Sequence, residues 1–194
     1  MTSFLGIILA RAGSKRLPKK NTMSFRFEKD IVELTVERCI ANDLPVVLST
    51  DIIKHLRRFK DMPGVRLMER PKYLCGDEVD PVDVVLDLLH SIEDFPEYII
   101  LMQPTSQTWN FGSLTWAMKK VERDETSGMF SVNPAYKPNG CFYIVRTADL
   151  IKQRTFFVEN AWVYVMSWGE SVDIDNLWDF RVAQAVVSGQ VTGK

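Results

Sequence analysis

The sequence predicts an α/β fold with a mostly parallel central sheet, and two features of the chain support it. First, apolar runs of strand length alternate with longer stretches of helical character along most of the 194 residues. A repeated strand, helix, strand order requires crossover connections, which place helices on both faces of a parallel sheet. Second, polar segments follow several of the apolar runs. In an open parallel sheet such segments lie together beyond the carboxyl ends of the strands.

The individual elements follow from periodicity and from capping residues. Seven apolar runs predict strands, in chain order "FLGIILA", "LPVVLST", "GVRLME", "EYIILMQ", "GMFSV", "CFYIV" and "AWVYVMS". Helices are predicted over residues 30–42, 80–93 and 113–123. A last helix is predicted over 177–187, because Asn176 and Asp179 resemble its N-terminal cap. We find no repeat and no linker-like segment, so we expect a single domain over residues 1–194.

Composition excludes several classes of protein. A formal net charge of -1 and a pI near 6.2 argue against a general nucleic-acid binder. Three scattered cysteines without a CxxC pair do not make a disulfide framework, so we expect a reducing cytoplasm. The first apolar run lacks a positive segment before it and is too short to span a bilayer, which argues against secretion and a membrane location.

A basic loop, "RAGSKRLPKKN", follows the first predicted strand. Its five positive charges come from Arg11, Lys15, Arg16, Lys19 and Lys20. The glycine allows the backbone N–H groups to turn inward, the serine adds a hydroxyl, and the lysines supply point charges, so the loop suits a polyphosphate. The spacing is neither that of a P-loop nor GxGxxG, which disfavours a P-loop hydrolase and a dehydrogenase. A solvated surface turn and a nucleic-acid patch are the alternative interpretations.

Two aspartates occur near the end of the chain in "SVDIDN". If this segment is extended, Asp173 and Asp175 project to the same side, about 7 Å apart at their backbones, while Ile174 turns into the core. Carboxylate oxygens in this arrangement suit a divalent cation such as Mg²⁺. The alternative is that Asp175 or its neighbour only caps the last helix. Asp51 and Asp77 are further candidates, although helix capping is the role expected for either.

The segment "ILARAGSKRLPKKN" resembles the N-terminal signature of the CMP-sialic acid synthetase (acylneuraminate cytidylyltransferase) family. The resemblance continues in order through "VVLSTD", "ERPKYL", "LMQPTS", "KPNGCFYIV" and "VYVMSWGESVDIDNLWDF". It implies a three-layer, Rossmann-like nucleotidyltransferase fold of the GT-A type. It also implies a Mg²⁺-dependent cytoplasmic enzyme that transfers CMP from CTP to the anomeric hydroxyl of an acidic sugar, a ulosonic acid such as N-acetylneuraminate, and releases pyrophosphate.

The resemblance also implies roles for individual residues. Catalysis would involve Arg11, Lys15, Lys20 and Asp175, and the metal would be held by Asp173 and Asp175. The nucleotide would be bound by Arg11, Ser14, Lys15, Lys20, Asn21 and Arg70, of which Arg70 would read the cytosine edge. The sugar would be bound by Gln103, Lys137 and Asn139.

The chain departs from the family on the acceptor side. It has "QPTSQTWN" where the family continues QPTSPLR, and Lys137 where many members carry arginine. Only residues 133–136 separate "FSV" from "KPNG", where the family carries a long arm that reaches the neighbouring subunit. A homodimer stays open, but not by arm exchange. Three alternatives also stay open: another acidic acceptor, another nucleotide base, and a CTP-binding module that has lost turnover.

Overall fold

The structure is a computed structural model and describes residues 3–190. Its strands are β1 (Phe4–Ala10), β2 (Ser24–Arg26), β3 (Lys29–Asp30), β4 (Val46–Thr50), β5 (Val65–Glu69), β6 (Tyr98–Met102), β7 (Gly128–Val132), β8 (Pro138–Arg146) and β9 (Trp162–Val165). Its α-helices are α1 (Ile31–Ile40), α2 (Ile53–Leu56), α3 (Pro81–Leu89), α4 (Gly112–Asp124), α5 (Thr147–Gln153) and α6 (Leu177–Val187). Short 3-10 helices occupy Lys20–Thr22, Arg57–Phe59, Lys72–Leu74 and Gly169–Ser171.

The central sheet has seven strands in the order β5-β4-β1-β6-β8-β7-β9. The pairs among β5, β4, β1 and β6 are parallel, as is the β7–β9 pair, whereas β8 runs antiparallel to both of its neighbours. The remaining strands, β2 and β3, form a separate antiparallel pair. The prediction of an α/β fold with a mostly parallel sheet is therefore confirmed. The carboxyl ends of β1, β4, β5 and β6 lie along one edge of this sheet.

The core lies on both faces of the sheet because successive residues of each strand point to opposite sides. On one face Ile8, Leu48 and Ile100 pack with apolar residues of α1 and α4. On the other face Ile7 and Val47 pack with residues of α3 and α5. Strands that are apolar on both faces are typical of a sheet covered on both sides by helices. This three-layer arrangement fixes the strand ends, and therefore the loops that follow them.

Every predicted strand and helix is present; β1, β7 and α6 have the predicted bounds, β8 and α4 are longer, and the others are a few residues shorter. Helix α6 begins where the capping residues predicted: the Asn176 side chain accepts hydrogen bonds from the amides of Trp178 and Asp179, and the Asp179 side chain accepts from the Asn176 amide. The sequence analysis did not predict α2, α5 or the β2–β3 pair. Within residues 3–190, none of the helices is both long and apolar enough to cross a membrane.

Candidate active site

A cavity of about 540 Å³ lies at the carboxyl edge of the sheet. Three strands deliver residues directly to it: Arg11 follows β1, Arg70 follows β5 and Gln103 follows β6. The residues predicted from sequence that line this cavity are Arg11, Ser14, Lys15, Lys20, Asn21, Arg70 and Gln103. The fold thus gathers residues from three separate loops around one space.

The basic loop is held in place by two side chains. Asp51, directly after β4, accepts a hydrogen bond from the backbone amide of Ala12 at 2.8 Å. Asn21 donates from Nδ2 to the carbonyl oxygen of Arg11 at 2.9 Å. The Oδ1 of Asn21 is buried and has no hydrogen-bond partner within the described part of the chain. A buried acceptor without a partner is unusual, and the residue that carries it lines the cavity.

Asp77 faces the two basic residues at the mouth of the loop. Its carboxylate lies 2.6 Å from Arg11 Nη1 and also pairs with Lys15 Nζ. Hydrogen bonds from Lys15 and Arg11 lower the pKa of the Asp77 carboxyl. Helix capping, the role expected for Asp77, is wrong, because Asp80 caps α3 by accepting from the Val82 amide. The same expectation is wrong for Asp51, since Ile52 stands at the N-cap of α2 without a side-chain hydrogen bond.

The late aspartates lie beside the basic loop. Lys20 Nζ donates to the carbonyl oxygen of Ile174 at 2.6 Å and lies 3.8 Å from Asp175 Oδ1. Arg16 Nη2 donates to the same carboxylate oxygen of Asp175 at 2.7 Å. Ile174 between the aspartates is fully buried, as the alternating pattern predicted. Two segments that are about 150 residues apart in sequence therefore meet, with opposite charges in contact.

The surrounding protein shifts the pKa of two groups in this cluster. Burial lowers the pKa of Lys20, an effect partly opposed by the charges of Asp173 and Asp175. Neighbouring protein atoms desolvate the Asp173 carboxyl and raise its pKa, partly offset by a hydrogen bond from Thr105; the residue itself is solvent-exposed, so the shift is a small one. Both shifts disfavour the charged form. The folded protein therefore disfavours the charged forms of Lys20 and Asp173, and perturbed pKa values of this kind are common at functional sites.

The donor set of the late aspartates fits a hard divalent cation. Asp173 and Asp175 offer carboxylate oxygens, the ligand type that Mg²⁺ prefers. Asn176, and not Asp175, provides the side-chain cap of α6, so Asp175 is left to pair with cations. In the described residues, no group of three or more histidine, cysteine, aspartate or glutamate side chains is arranged to hold a metal. A metal here would complete its shell with oxygens from other molecules.

Arg70 is fixed in the cavity wall. It is buried, donates from Nε to Ser49 Oγ at 3.3 Å and from Nη2 to the Ser49 carbonyl oxygen at 3.1 Å. Its backbone amide donates to the Thr50 carbonyl oxygen at 2.8 Å, which continues the β4–β5 pairing. Burial lowers the pKa of the guanidinium. These bonds hold a planar donor group in one orientation beside the cavity.

The predicted acceptor residues do not all reach the cavity. Gln103 lines it and packs against Gly140, where a φ of +75° would strain any residue that has a side chain. Lys137 is exposed in the tight turn between β7 and β8. Asn139 is buried and hydrogen-bonded to Ser131 Oγ at 2.6 Å. Lys137 and Asn139 are not among the described residues that line the cavity.

The loop after β6 contains a structural residue that the sequence analysis did not identify. Gln107 is fully buried, and its Nε2 lies within hydrogen-bonding distance of the Ile31 carbonyl oxygen, Thr35 Oγ1 and the Pro104 carbonyl oxygen, at 3.1, 2.8 and 2.7 Å. Trp109 donates to the Ser106 carbonyl oxygen at 2.9 Å and packs in the core. The "QTW" departure from the family pattern therefore fastens this loop to α1 and the core.

Known proteins resemble the chain in sequence. No family model matches it. An N-acylneuraminate cytidylyltransferase from Streptococcus agalactiae is 25% identical over 211 residues, which cover 90% of this chain and 51% of that protein. The resemblance to the CMP-sialic acid synthetase family is confirmed. A CMP-N,N'-diacetyllegionaminic acid synthase from Legionella pneumophila is 25% identical over 94% of this chain and 95% of that protein. The chain spans about half the length of the N-acylneuraminate cytidylyltransferases that it matches.

Solved structures confirm the nucleotidyltransferase fold. A CMP:2-keto-3-deoxy-manno-octonic acid synthetase, in a complex with CTP, superposes with a TM-score of 0.72 at 14% identity, covering 98% of this chain and 100% of that one. A cytidylyltransferase from Leptospira borgpetersenii superposes with a TM-score of 0.72 at 17% identity, covering 100% of this chain and 90% of that one. At such identities these likenesses speak to the fold alone.

Proposed function

We propose that this protein transfers CMP from CTP to the anomeric hydroxyl of an acidic sugar, a ulosonic acid such as N-acetylneuraminate, and releases pyrophosphate. The observation that carries the proposal is that Arg16 and Lys20, which line the cavity, contact the segment of the late aspartates, which lies just outside the lining. The names of the sequence relatives, which activate acylneuraminate, legionaminic and pseudaminic acids, support the class of acceptor.

The basic loop supplies the charge that the reaction needs. When the sugar hydroxyl attacks the α-phosphorus, negative charge grows on the phosphate oxygens and on the departing pyrophosphate. Arg11, Lys15 and Lys20 line the cavity and are assigned to stabilise that charge, with Ser14 as a further donor. Removing one such group typically slows a reaction by about 100-fold to 1,000-fold.

Two other residues are assigned to recognise the nucleoside. Arg70 donates hydrogen bonds only, so it suits the acceptor edge of cytosine, which a uracil with its N3–H does not copy. Asn21 lines the same cavity and holds the Arg11 carbonyl oxygen through Nδ2, so it is assigned to shape the nucleotide pocket. The rigid hold of Ser49 on Arg70 keeps this recognition in one geometry.

Asp173 and Asp175 are assigned to hold Mg²⁺, which supplies positive charge to the phosphate oxygens when bound. Arg16 pairs with Asp175 from an exposed position, so a cation held there would compete with this contact. We also assign the proton of the attacking hydroxyl to Asp175. On the acceptor side, Gln103 is assigned to the sugar because it lines the cavity, whereas Lys137 and Asn139 stay predictions from the family resemblance.

The assembly and location are part of the proposal. Residues 133–137 close a tight turn in which the Asn133 amide donates to the Lys137 carbonyl oxygen at 2.9 Å. A homodimer of this chain would therefore form without exchange of an arm at this place. Three free thiols, Cys39, Cys75 and Cys141, support a reducing cytoplasm as the working location.

The proposal is tested by pyrophosphate release. The protein is incubated with Mg²⁺, each of CTP, ATP, GTP and UTP, and a panel of nine-carbon and eight-carbon ulosonic acids. We expect release with CTP and an acidic sugar together, and with neither alone. Pyrophosphate release with ATP, GTP or UTP in place of CTP would show that the enzyme uses a different base from cytosine. Thermal stabilisation by CTP with no release across the whole panel would instead identify a binding module that has lost turnover.

A further inference from the structure

The charges that line the cavity are strongly unequal. Its basic side chains are Arg11, Lys15, Arg16, Lys20 and Arg70. Among the described residues that line it, Asp77 is the single acidic one. Asp77 comes from the segment between β5 and α3, so it reaches the basic loop from a different part of the chain. A carboxylate in a cavity suited to a polyanion calls for an explanation.

The contacts of Asp77 are made with cations assigned to the triphosphate. Its two carboxylate oxygens are divided between them, with Oδ1 on Arg11 Nη1 at 2.6 Å and Oδ2 on Lys15 Nζ. Phosphate and carboxylate oxygens compete for the same donors because both form charge-assisted hydrogen bonds with guanidinium and ammonium groups. The charge of Asp77 would also repel a polyphosphate bound close by.

The ion pairs of Asp77 with Arg11 and Lys15 can be replaced by contacts between these cations and a bound polyphosphate. The Lys15 side chain is 83% exposed, and those of Arg11 and Asp77 are partly exposed at 33% and 27%, compared with 14% for Lys20, which contacts the late aspartates. Ion pairs that solvent can reach are weak because water and salt screen them. A polyphosphate that carries several charges can therefore displace Asp77 from Arg11 and Lys15 with little disturbance elsewhere.

We propose that Asp77 is an intramolecular counterion that competes with the polyphosphate for Arg11 and Lys15, which weakens triphosphate binding and promotes pyrophosphate release. This inference rests on the proposed function, in that it requires a polyphosphate to bind in this cavity. Between binding events the same carboxylate holds the basic loop against the segment that follows Arg70. Asp77 thus determines how tightly the site holds pyrophosphate.

The test is the affinity of the full chain for inorganic pyrophosphate, measured by calorimetry at low salt without a divalent metal. Asp77→Asn keeps the size of the side chain and removes the charge, and we expect its dissociation constant to fall by about 5-fold, the equivalent of one exposed ion pair. Asp77→Glu keeps a competing carboxylate and should stay near the unsubstituted protein. The gain in Asp77→Asn should shrink at about 0.5 M salt, where charges are screened within a few ångströms.

Glu78→Gln is the matched control. Glu78 is the next residue, is exposed and is not among the described residues that line the cavity, so the variant makes the same change in net charge without touching the pair. If Glu78→Gln and Asp77→Asn raise the affinity for pyrophosphate equally, the effect comes from net charge alone and the inference is overturned. Unchanged or weaker binding in Asp77→Asn would overturn it too, while the proposed function would stand. If the unsubstituted protein binds neither pyrophosphate nor CTP, the proposed function fails and the inference fails with it.

Discussion

Two regions that match the same family motifs use their polar residues differently: the one assigned above to the nucleotide, here called the nucleotide side, and the one assigned to the sugar, here called the acceptor side. On the nucleotide side, Arg11 and Lys20 line the cavity and pair with aspartates from distant segments. On the acceptor side, Asn139 matches the motif equally well, yet its amide is hydrogen-bonded inside the protein. A motif match therefore identifies a residue, but the packing around that residue determines whether its polar atoms can contact a ligand.

The backbone explains the difference. The basic loop leaves β1 at the carboxyl edge of the parallel strands, where side chains project into open space. Asn139 instead lies within β8, an antiparallel strand buried between β6 and β7, so its polar atoms must find partners inside the sheet. The two sides should consequently respond to mutation in opposite ways.

The largest expected effect is loss of turnover on the nucleotide side. We predict that Lys20→Gln lowers the rate of CMP-sugar formation by about 100-fold to 1,000-fold, because it removes a positive charge from the developing pyrophosphate. The fold should survive, since burial already disfavours the charged lysine and the substitution keeps an amide donor for the Ile174 carbonyl oxygen. The rate is measured by pyrophosphate release at saturating CTP and sugar.

Lys60→Gln is the control, because Lys60 is exposed and lies outside the cavity lining. It makes the same chemical change and should keep full activity. A Lys20→Gln protein with normal turnover would remove this lysine from the catalytic assignment and would erase the contrast between the two sides.

A smaller effect, on stability, is expected on the acceptor side. Asn139→Ala removes the acceptor of the buried Cys141 amide, leaves the Ser131 hydroxyl with only the Phe142 carbonyl oxygen at 3.2 Å, and removes donors to Ser171 and Met166. We predict that the free energy of unfolding falls by about 1–3 kcal/mol, the usual cost of an unsatisfied buried polar group. Denaturant unfolding measures it, and the KM for the sugar, taken on the folded protein, should change little.

Lys137→Ala in the neighbouring turn provides the comparison for Asn139→Ala. Lys137 is exposed, so its replacement should alter stability by less than about 0.5 kcal/mol. A raised KM for the sugar in either variant, with stability preserved, would instead support the sugar-binding role that the family resemblance implies for these two residues.

The sequence predicted the fold well because its main signals are local. The apolar runs, the Asn176 cap and the position of the basic loop all depend on residues close together in the chain. The missed elements lack such signals: α5 has no side-chain cap, and the β2–β3 pair is only a few residues long. Their formation depends on packing against the rest of the molecule, which a local pattern does not contain.

The site was harder to predict wherever a residue's partner is distant in sequence. Helix capping was the role expected for Asp77, because nothing in the local sequence indicates that its side chain contacts Arg11, 66 residues away. For the same reason Gln107 was interpreted only as a departure from a family pattern, although its amide fastens the loop to α1. Prediction of the late aspartates was easier, since alternation alone directs Ile174 inward.

The smallest expected effect is a pH-dependent gain in stability on the nucleotide side. The pKa of Asp173 is raised in the folded protein, so folding favours its protonated form. As pH rises from the ordinary pKa of 3.8 through the raised value, the unfolded chain loses its proton first and stability falls. Asp173→Asn removes this penalty, so the variant should be slightly more stable at pH 7 and the difference should vanish below about pH 4.

Denaturant unfolding at several pH values measures the Asp173→Asn effect, with Asp61→Asn, at an exposed position outside the cavity lining, as the control for the same chemical change. A loss of stability at pH 7 would mean that contacts of the charged carboxylate outweigh its desolvation. A gain, combined with lost turnover, would show that this side of the molecule keeps a carboxylate that folding disfavours. The Asp173 carboxylate would then be kept for its role in the reaction. Asn139, in contrast, would be kept for its contribution to stability.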